Sequence, residues 1–224
     1  MPAPDFVLTM RHVKDDGDRS AERERLAHAV EASTGVHDPR ILDAFRSVPR
    51  EAFVPAELGE LAYEDRALPI GEGQTISQPS MIALMLAELE PGASDRALEV
   101  GAGSGYAAAL LGKLTASVRA VEIVPALVER AQKTLASLDA SNVEVELGNG
   151  AAHLEGGPFE VILVSAGARE LPRELVAELA PGGRIAIPVG DADGQHLLTG
   201  HRDQHGEMTW KRGTPCMFVP LIGA

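Results

Sequence analysis

The chain of 224 residues holds a single cysteine, Cys216. One thiol cannot close an intrachain disulfide, and it excludes the multi-cysteine zinc frameworks. Long apolar runs are missing as well. The longest, Met81 to Ala87, is seven residues, far short of the ~18 needed to span a bilayer. Positive charge is scarce: 20 Lys and Arg face 33 Asp and Glu, leaving −13. That balance disfavours bulk attraction to nucleic acid or anionic lipid, so neither a nucleic-acid nor a membrane partner is expected. Asp5, Arg11 and Lys14 interrupt the N-terminus, which therefore does not read as a signal peptide; the cytoplasm is the expected compartment. What remains is an ordinary globular composition, 45% hydrophobic and 24% charged, at a length that suits one α/β domain.

Residues 1–19 are polar and end in an acidic run (Asp15, Asp16, Asp18), so a loosely ordered segment is expected there. A single domain should occupy 20–224, with helices and an active-site loop over 20–78 and an α/β core over 79–224. Ser20 reads as the N-cap of a first helix that buries Leu26, Ala27 and Val30 and stops at Gly35. Asp38-Pro39 reads as N-cap and first residue of a second helix, with Ile41, Leu42 and Phe45 inward. Val48 to Pro79 holds four prolines and three glycines and reads as a long connecting region. Beyond it, β-rich runs at Ala97–Val100, Val118–Val121, Val143–Leu147, Val161–Val164 and Ile185–Val189 alternate with helical stretches. Those stretches are Ser104–Leu114, Pro125–Leu138 and Pro172–Leu179. Such alternation means βαβ units and a parallel sheet covered on both faces. The tail from His196 to Leu221, split by Gly206 and Gly213, reads as antiparallel strands that finish the sheet.

The strongest local signal is Leu98-Glu99-Val100-Gly101-Ala102-Gly103-Ser104-Gly105-Tyr106, which leaves a strand and enters a helix. Glycines at such a turn let the backbone approach a ligand. The spacing is G-x-G-x-G, and Tyr106 stands where the dinucleotide fingerprint requires its last glycine. Glu99, just before the loop, would repel a pyrophosphate; it suits a ligand with an amino group and a positive sulfur, as in S-adenosylmethionine (SAM). Glu122, with Ile123 after it, closes the second strand where a carboxylate can accept from ribose hydroxyls. A solvated strand end is the plainer reading of Glu122.

From about Ile41 to Gly223 the sequence resembles the protein-L-isoaspartate O-methyltransferase family. The resemblance is carried by Val48-Pro49-Arg50-Glu51-Ala52-Phe53-Val54-Pro55, by Tyr63-Glu64-Asp65-Arg66-Ala67-Leu68-Pro69-Ile70-Gly71, and by Gly73-Gln74-Thr75-Ile76-Ser77-Gln78-Pro79. It continues through Leu98–Tyr106, Pro181-Gly182-Gly183-Arg184, Ile187-Pro188-Val189-Gly190 and Phe218-Val219-Pro220-Leu221-Ile222-Gly223. It implies a Rossmann-like SAM-dependent methyltransferase fold, with a mostly parallel seven-stranded sheet and an N-terminal helical extension. The implied reaction is methylation of the free carboxylate of isoaspartyl residues in damaged proteins or peptides, with S-adenosylhomocysteine (SAH) as product. Ser77 matches the family's active-site serine, with Thr75 beside it. The implied cofactor residues are Glu99, Gly101, Gly103, Ser104, Gly105, Glu122, Ile123, Asn149 and Gly150. Gln74, Ser80, Val219, Pro220 and Leu221 are candidates for the acceptor side. The sequence departs from the family at Asn149, where Asp is usual, at Ser80, where His or Tyr is frequent, and at Ser165-Ala166-Gly167 in place of Thr-Ala-Ala.

A carboxylate is ionised at neutral pH, so it needs no general base, and catalysis reduces to positioning. Thr75, Ser77 and free N–H groups at the start of the helix from Pro79 are the donors expected to hold the acceptor. Ser77 also reads as a simple helix cap. No metal site is expected, since His201 and His205, the best-spaced pair, fall in a turn-like region. Three alternatives stay open on these residues. One is an enzyme that esterifies an aspartyl residue of a dedicated peptide; the others are a nicotinamide oxidoreductase and a non-catalytic SAM-binding protein.

Overall fold

The computed structural model describes residues 18–152, 156–191 and 193–223. The expectation for residues 1–17 lies outside them. Asp18 and Arg19 are described: Asp18 accepts from the Ser20 N–H, and Arg19 donates to Gly59 O at 2.8 Å. Helix α1 spans Ser20–Thr34, and Ser20 is its first residue rather than its cap. The Ser20 hydroxyl instead donates to Asp18, an acceptor placed two residues earlier. Gly35 ends the helix in the left-handed conformation, as expected of a residue without Cβ. Helix α2 (Pro39–Ser47) is capped by the Asp38 side chain on Arg40 N–H.

The stretch 48–79 is more ordered than a connecting loop. Two short 3-10 helices (Arg50–Phe53 and Ala56–Leu61) lead to a hairpin of β1 (Leu68–Gly71) and β2 (Gln74–Ile76). Its two-residue turn places both Glu72 and Gly73 at positive φ, 54° and 70°, the handedness that matches strand twist. Helix α3 (Pro79–Leu89) follows, buried along most of its length.

The remaining elements are β3 (Arg96–Val100), α4 (Tyr106–Gly112), β4 (Ser117–Glu122), α5 (Pro125–Ser137) and β5 (Val143–Leu147). They continue as β6 (Phe159–Val164), α6 (Arg173–Ala177), β7 (Leu179–Asp191), β8 (Gly194–Arg202) and β9 (Met208–Cys216). The seven strands β3 to β9 form one sheet in the order β5-β4-β3-β6-β7-β8-β9. β5, β4, β3, β6 and β7 run parallel, and β8 and β9 complete the sheet antiparallel. Gly213 does not split the tail: it lies inside β9, where the pairing with β8 shifts register. The sheet alternates faces. Ala97, Val161 and Leu163 join α1–α5 in the larger core; Leu98, Val100, Ile162 and Val164 pack with Leu175 of α6 on the other side. By the period of two along a strand, Glu99 shares the face of Ala97. Its carboxylate is thereby sent beneath the helical layer.

Candidate active site

The strand order reverses at β3, between β4 and β6, and there the crevice beyond the strand C-termini opens. Its outer part is an open cleft. Gly101 and Gly103, Glu122 and Ile123, Gly148 and Gly150 line it from the strand ends. Gln74 and Thr75 close it from the β1–β2 hairpin, and Val219, Pro220, Leu221 and Ile222 from the C-terminal segment. A smaller recess, the inner chamber, adjoins it, walled by Thr75, Ser77, Glu99, Ser104, Tyr106 and Ser165 among others. The two share Thr75, Gly101, Gly103 and Ser165. Among the described residues, neither is lined by a lysine, arginine or histidine.

The glycine loop takes its shape from positive φ angles at Gly101, Gly103 and Gly105 (82°, 54° and 86°), a region that costs a side-chain-bearing residue energy. The turn is held by Glu122, whose carboxylate accepts from Gly103 N–H at 2.8 Å and Val124 N–H at 2.9 Å. Each oxygen keeps a second lone pair, and the group is nearly buried, so it is fixed in orientation and still able to accept.

Glu99 is 0% exposed. Ser165 Oγ donates to its Oε1 at 2.8 Å, while Oε2 makes no hydrogen bond among the described residues, though the Ala108 N–H lies near enough to favour the charged form. Burial drives its pKa from the ordinary 4.5 up to about 8, against the Ser165 hydrogen bond, and the nearby Glu122 adds to the rise. An orphaned buried oxygen is costly unless a donor meets it. The chamber in front of Glu99 therefore suits a ligand cation.

Ser77 does not cap α3. The N-cap residue is Gln78, which makes no side-chain cap, and the Ser77 hydroxyl has no hydrogen bond among the described residues. The capping acceptor comes from far along the chain: Asp65 Oδ1 accepts from Ser80 N–H at 2.8 Å, and its Oδ2 from Gln78 Nε2 at 3.1 Å. Met81 and Ile82 N–H both reach Gln78 O. The start of α3 is thus already occupied by a carboxylate, and the expectation that its free N–H groups receive the acceptor is corrected.

Three other expected residues stand off the walls. Ser80 gives its backbone N–H to Asp65 and is absent from both sets of walls. Gly105 faces α5, where an added Cβ would meet Ala131 at 3.2 Å, so it serves helix packing. Asn149 Oδ1 accepts from Ala151 N–H at 3.0 Å and its amide lies against Gly223; it shapes a turn between the lining residues Gly148 and Gly150. Sequence reasoning noted Asp65 and Ser165 only as parts of motifs, gave neither a role, and did not single out Gln195. Gln195 clamps the C-terminal segment through both amide atoms, donating to Phe218 O and accepting from Phe218 N–H. Backbone bonds between Gly167 and both Val219 and Leu221 complete that strap.

The family description protein-L-isoaspartate(D-aspartate) O-methyltransferase matches residues 21–224. The chain belongs to this family. It is 44% identical over 211 residues to a protein-L-isoaspartate O-methyltransferase of Pelotomaculum thermopropionicum, covering 94% of this chain and 92% of that protein. It is 49% identical over 190 residues to one from Roseiflexus sp., covering 84% and 87%. A Plasmodium falciparum protein-L-isoaspartate O-methyltransferase crystallised with S-adenosyl-L-homocysteine superposes with a TM-score of 0.78 at 26% identity, over 89% of this chain and 97% of that one. The family's sheet of seven strands, expected from the resemblance, is the sheet described above. Among the described residues, no helix is long and apolar enough to cross a membrane, and no cluster of His, Cys, Asp and Glu could hold a metal ion.

Proposed function

We infer that the protein transfers the methyl group of SAM to the free α-carboxylate of isoaspartyl residues, opening their repair through a succinimide. The observation that carries the reading is the joined pair of chambers: a cleft floored by Glu122 and the glycine loop, and an inner chamber with an orphaned carboxylate and the unbonded Ser77 hydroxyl. Glu122 would hold ribose hydroxyls, Gly101 and Gly103 would let the ligand approach the backbone, and Glu99 would take the ammonium of the methionine half. When bound, SAM supplies a methyl group already activated by its positive sulfur.

The protein's own contribution is positioning. Ser77 and Thr75 donate to the acceptor carboxylate, and their neutral hydroxyls hold it without a competing charge. No general base is required, because the nucleophile is ionised at neutral pH. The clamped strap from Phe218 to Leu221 closes the cleft against water. In the ester, the following backbone nitrogen attacks the methylated carbonyl, methanol leaves, and the succinimide forms without further help. Esterification of an aspartyl residue in one dedicated peptide is disfavoured by relatives named for the isoaspartyl reaction along nearly the whole chain.

The test is methyl incorporation from labelled SAM into matched short peptides that differ only in an isoaspartyl or aspartyl linkage. The linkages displace the acceptor oxygen by about one methylene, and a misplacement of ~1 Å costs ~100-fold in rate. Isoaspartyl peptides of unrelated sequence should be methylated and their aspartyl partners should not. Equal labelling of both would overturn the reading.

A further inference from the structure

Among the described residues, the walls of the two chambers carry two carboxylates, Glu99 and Glu122, and no cationic side chain. Asp65 adds a third negative group at the start of α3. A bound ligand's ammonium offsets Glu99, but Glu122 and Asp65 still oppose an anionic acceptor, so a positive charge close behind the wall would favour it. One lies there. Arg50, at the start of the first 3-10 helix, is 0% exposed. Its Nη1 donates to Ala62 O at 2.5 Å; its Nη2 donates to Arg66 O at 3.0 Å and to Ser77 O at 3.1 Å. The guanidinium carbon lies 5.7 Å from the centre of the Tyr106 ring, and both Ser77 and Tyr106 are walls of the inner chamber.

No carboxylate pairs with Arg50 among the described residues, and its Nε–H has no partner. Burying a guanidinium against carbonyls alone is expensive. In a chain with 33 acidic residues, a carboxylate could have been supplied. Burial pulls the Arg50 pKa down, with Tyr106 and Asp65 opposing, yet guanidinium starts so far above neutrality that it keeps its charge. An apolar residue of similar size would fill the space but leave the carbonyls of Ala62, Arg66 and Ser77 without these donors. No carboxylate bonds Arg50 directly, and Asp65 and Tyr106 offset its charge only through space; that charge is the feature to which a function is assigned.

We propose that Arg50 is the positioning residue of the acceptor site: it fixes Ser77 through its carbonyl and supplies the positive charge that selects an anionic acceptor. The proposal rests on the isoaspartyl reading above. It assigns Arg50 two separable tasks. The planar fork sets the segment from Ala62 to Ser77 by several bonds at once, which an ammonium cannot reproduce. The charge acts through space on the carboxylate and does not need the fork.

The experiment compares two ligands in the presence of SAH: an isoaspartyl peptide, and the same peptide with an α-carboxamide in place of the carboxylate. Wild type should prefer the carboxylate by roughly tenfold or more. Arg50→Gln should bring that ratio towards one while SAH affinity stays within about twofold of wild type. Arg50→Lys should keep the preference but lower kcat by about tenfold, because Ser77 loses its forked anchor. A preserved ratio in Arg50→Gln overturns the proposal, as does a parallel loss of SAH and peptide binding, the mark of a merely structural role. Should Arg50→Gln not fold, Arg50→Lys decides: unchanged kcat or a lost preference overturns the proposal. A wild type that binds neither peptide overturns the acceptor reading and the proposal with it, whereas a failure confined to the variants touches Arg50 alone.

Discussion

Glu99 should act as a proton-linked gate on cofactor binding. Its carboxyl titrates at about 8 instead of 4.5 because it is buried, so at pH 7 roughly nine apo molecules in ten carry the proton. A ligand ammonium placed against the orphaned Oε2 favours the ionised form. Binding at pH 7 should then release close to one proton, and affinity should rise with pH as the apo group gives up its proton unaided. Between pH 6 and 7.5 the ionised fraction of a group with pKa about 8 grows by about 25-fold, and SAH affinity should follow it. Stability has the opposite slope. The folded pKa lies above the unfolded one, so the unfolded chain binds fewer protons between about pH 4.5 and 8, and the apo protein loses about 3 kcal/mol from this group between pH 5 and 8. Above pH 8 the loss levels off. Glu99→Gln removes both slopes. The assay is calorimetry of SAH binding in buffers of different ionisation enthalpy, with thermal unfolding of the apo protein across the same range. Equal proton release by wild type and Glu99→Gln, or a flat affinity profile in wild type, would refute the reasoning.

Other substitutions probe separate parts of the site. Ser77→Ala should lower turnover by about tenfold or more while thermal stability and SAH affinity stay unchanged, since its hydroxyl bonds nothing among the described residues; a stability loss near 1 kcal/mol would mean it caps α3 after all. Asp65→Ala should cost ~0.5–2 kcal/mol in denaturant unfolding and raise the KM for the acceptor, with Asp65→Asn intermediate in both. Glu122→Gln should weaken SAH binding by about tenfold to a hundredfold in calorimetry, because one oxygen of the pair that bridges Gly103 and Val124 becomes a donor. Gly167→Ala would place a Cβ 2.4 Å from Gln195 Nε2, so it should displace the strap and weaken SAH binding; Gln195→Ala in the same chain should recover part of the loss.

The central strands were legible because each is a short β-branched run between helices, and burial on both faces leaves such a strand almost no polar residue to obscure it. Glu99 stood out for the same reason, as the one buried charge of β3. The stretch from Arg50 to Ser80 was not legible as structure. Its order comes from contacts between residues 12 to 27 apart, Arg50 to Ala62 and Ser77, and Asp65 to Ser80, and no local period records them. The β1–β2 hairpin was hidden by its turn: Glu72-Gly73 takes the conformation usually signalled by Asn-Gly or Asp-Gly. Ser77 could be placed by family likeness, but whether it capped α3 depended on a carboxylate 12 residues away. The strap that closes the cleft depended on Gln195, a side chain that pairs with backbone as a strand would.

The most direct measurement follows the fate of one isoaspartyl peptide through repeated turnover. The peptide is incubated with the protein and SAM, and its isoaspartyl, succinimidyl and aspartyl forms are separated and weighed over time, together with released methanol. The account predicts a steady fall of the isoaspartyl form, methanol in step with methyl transfer, and accumulation of the normal aspartyl peptide, which is not methylated again. A stable methyl ester building up on the aspartyl peptide, with the isoaspartyl form untouched, would contradict it.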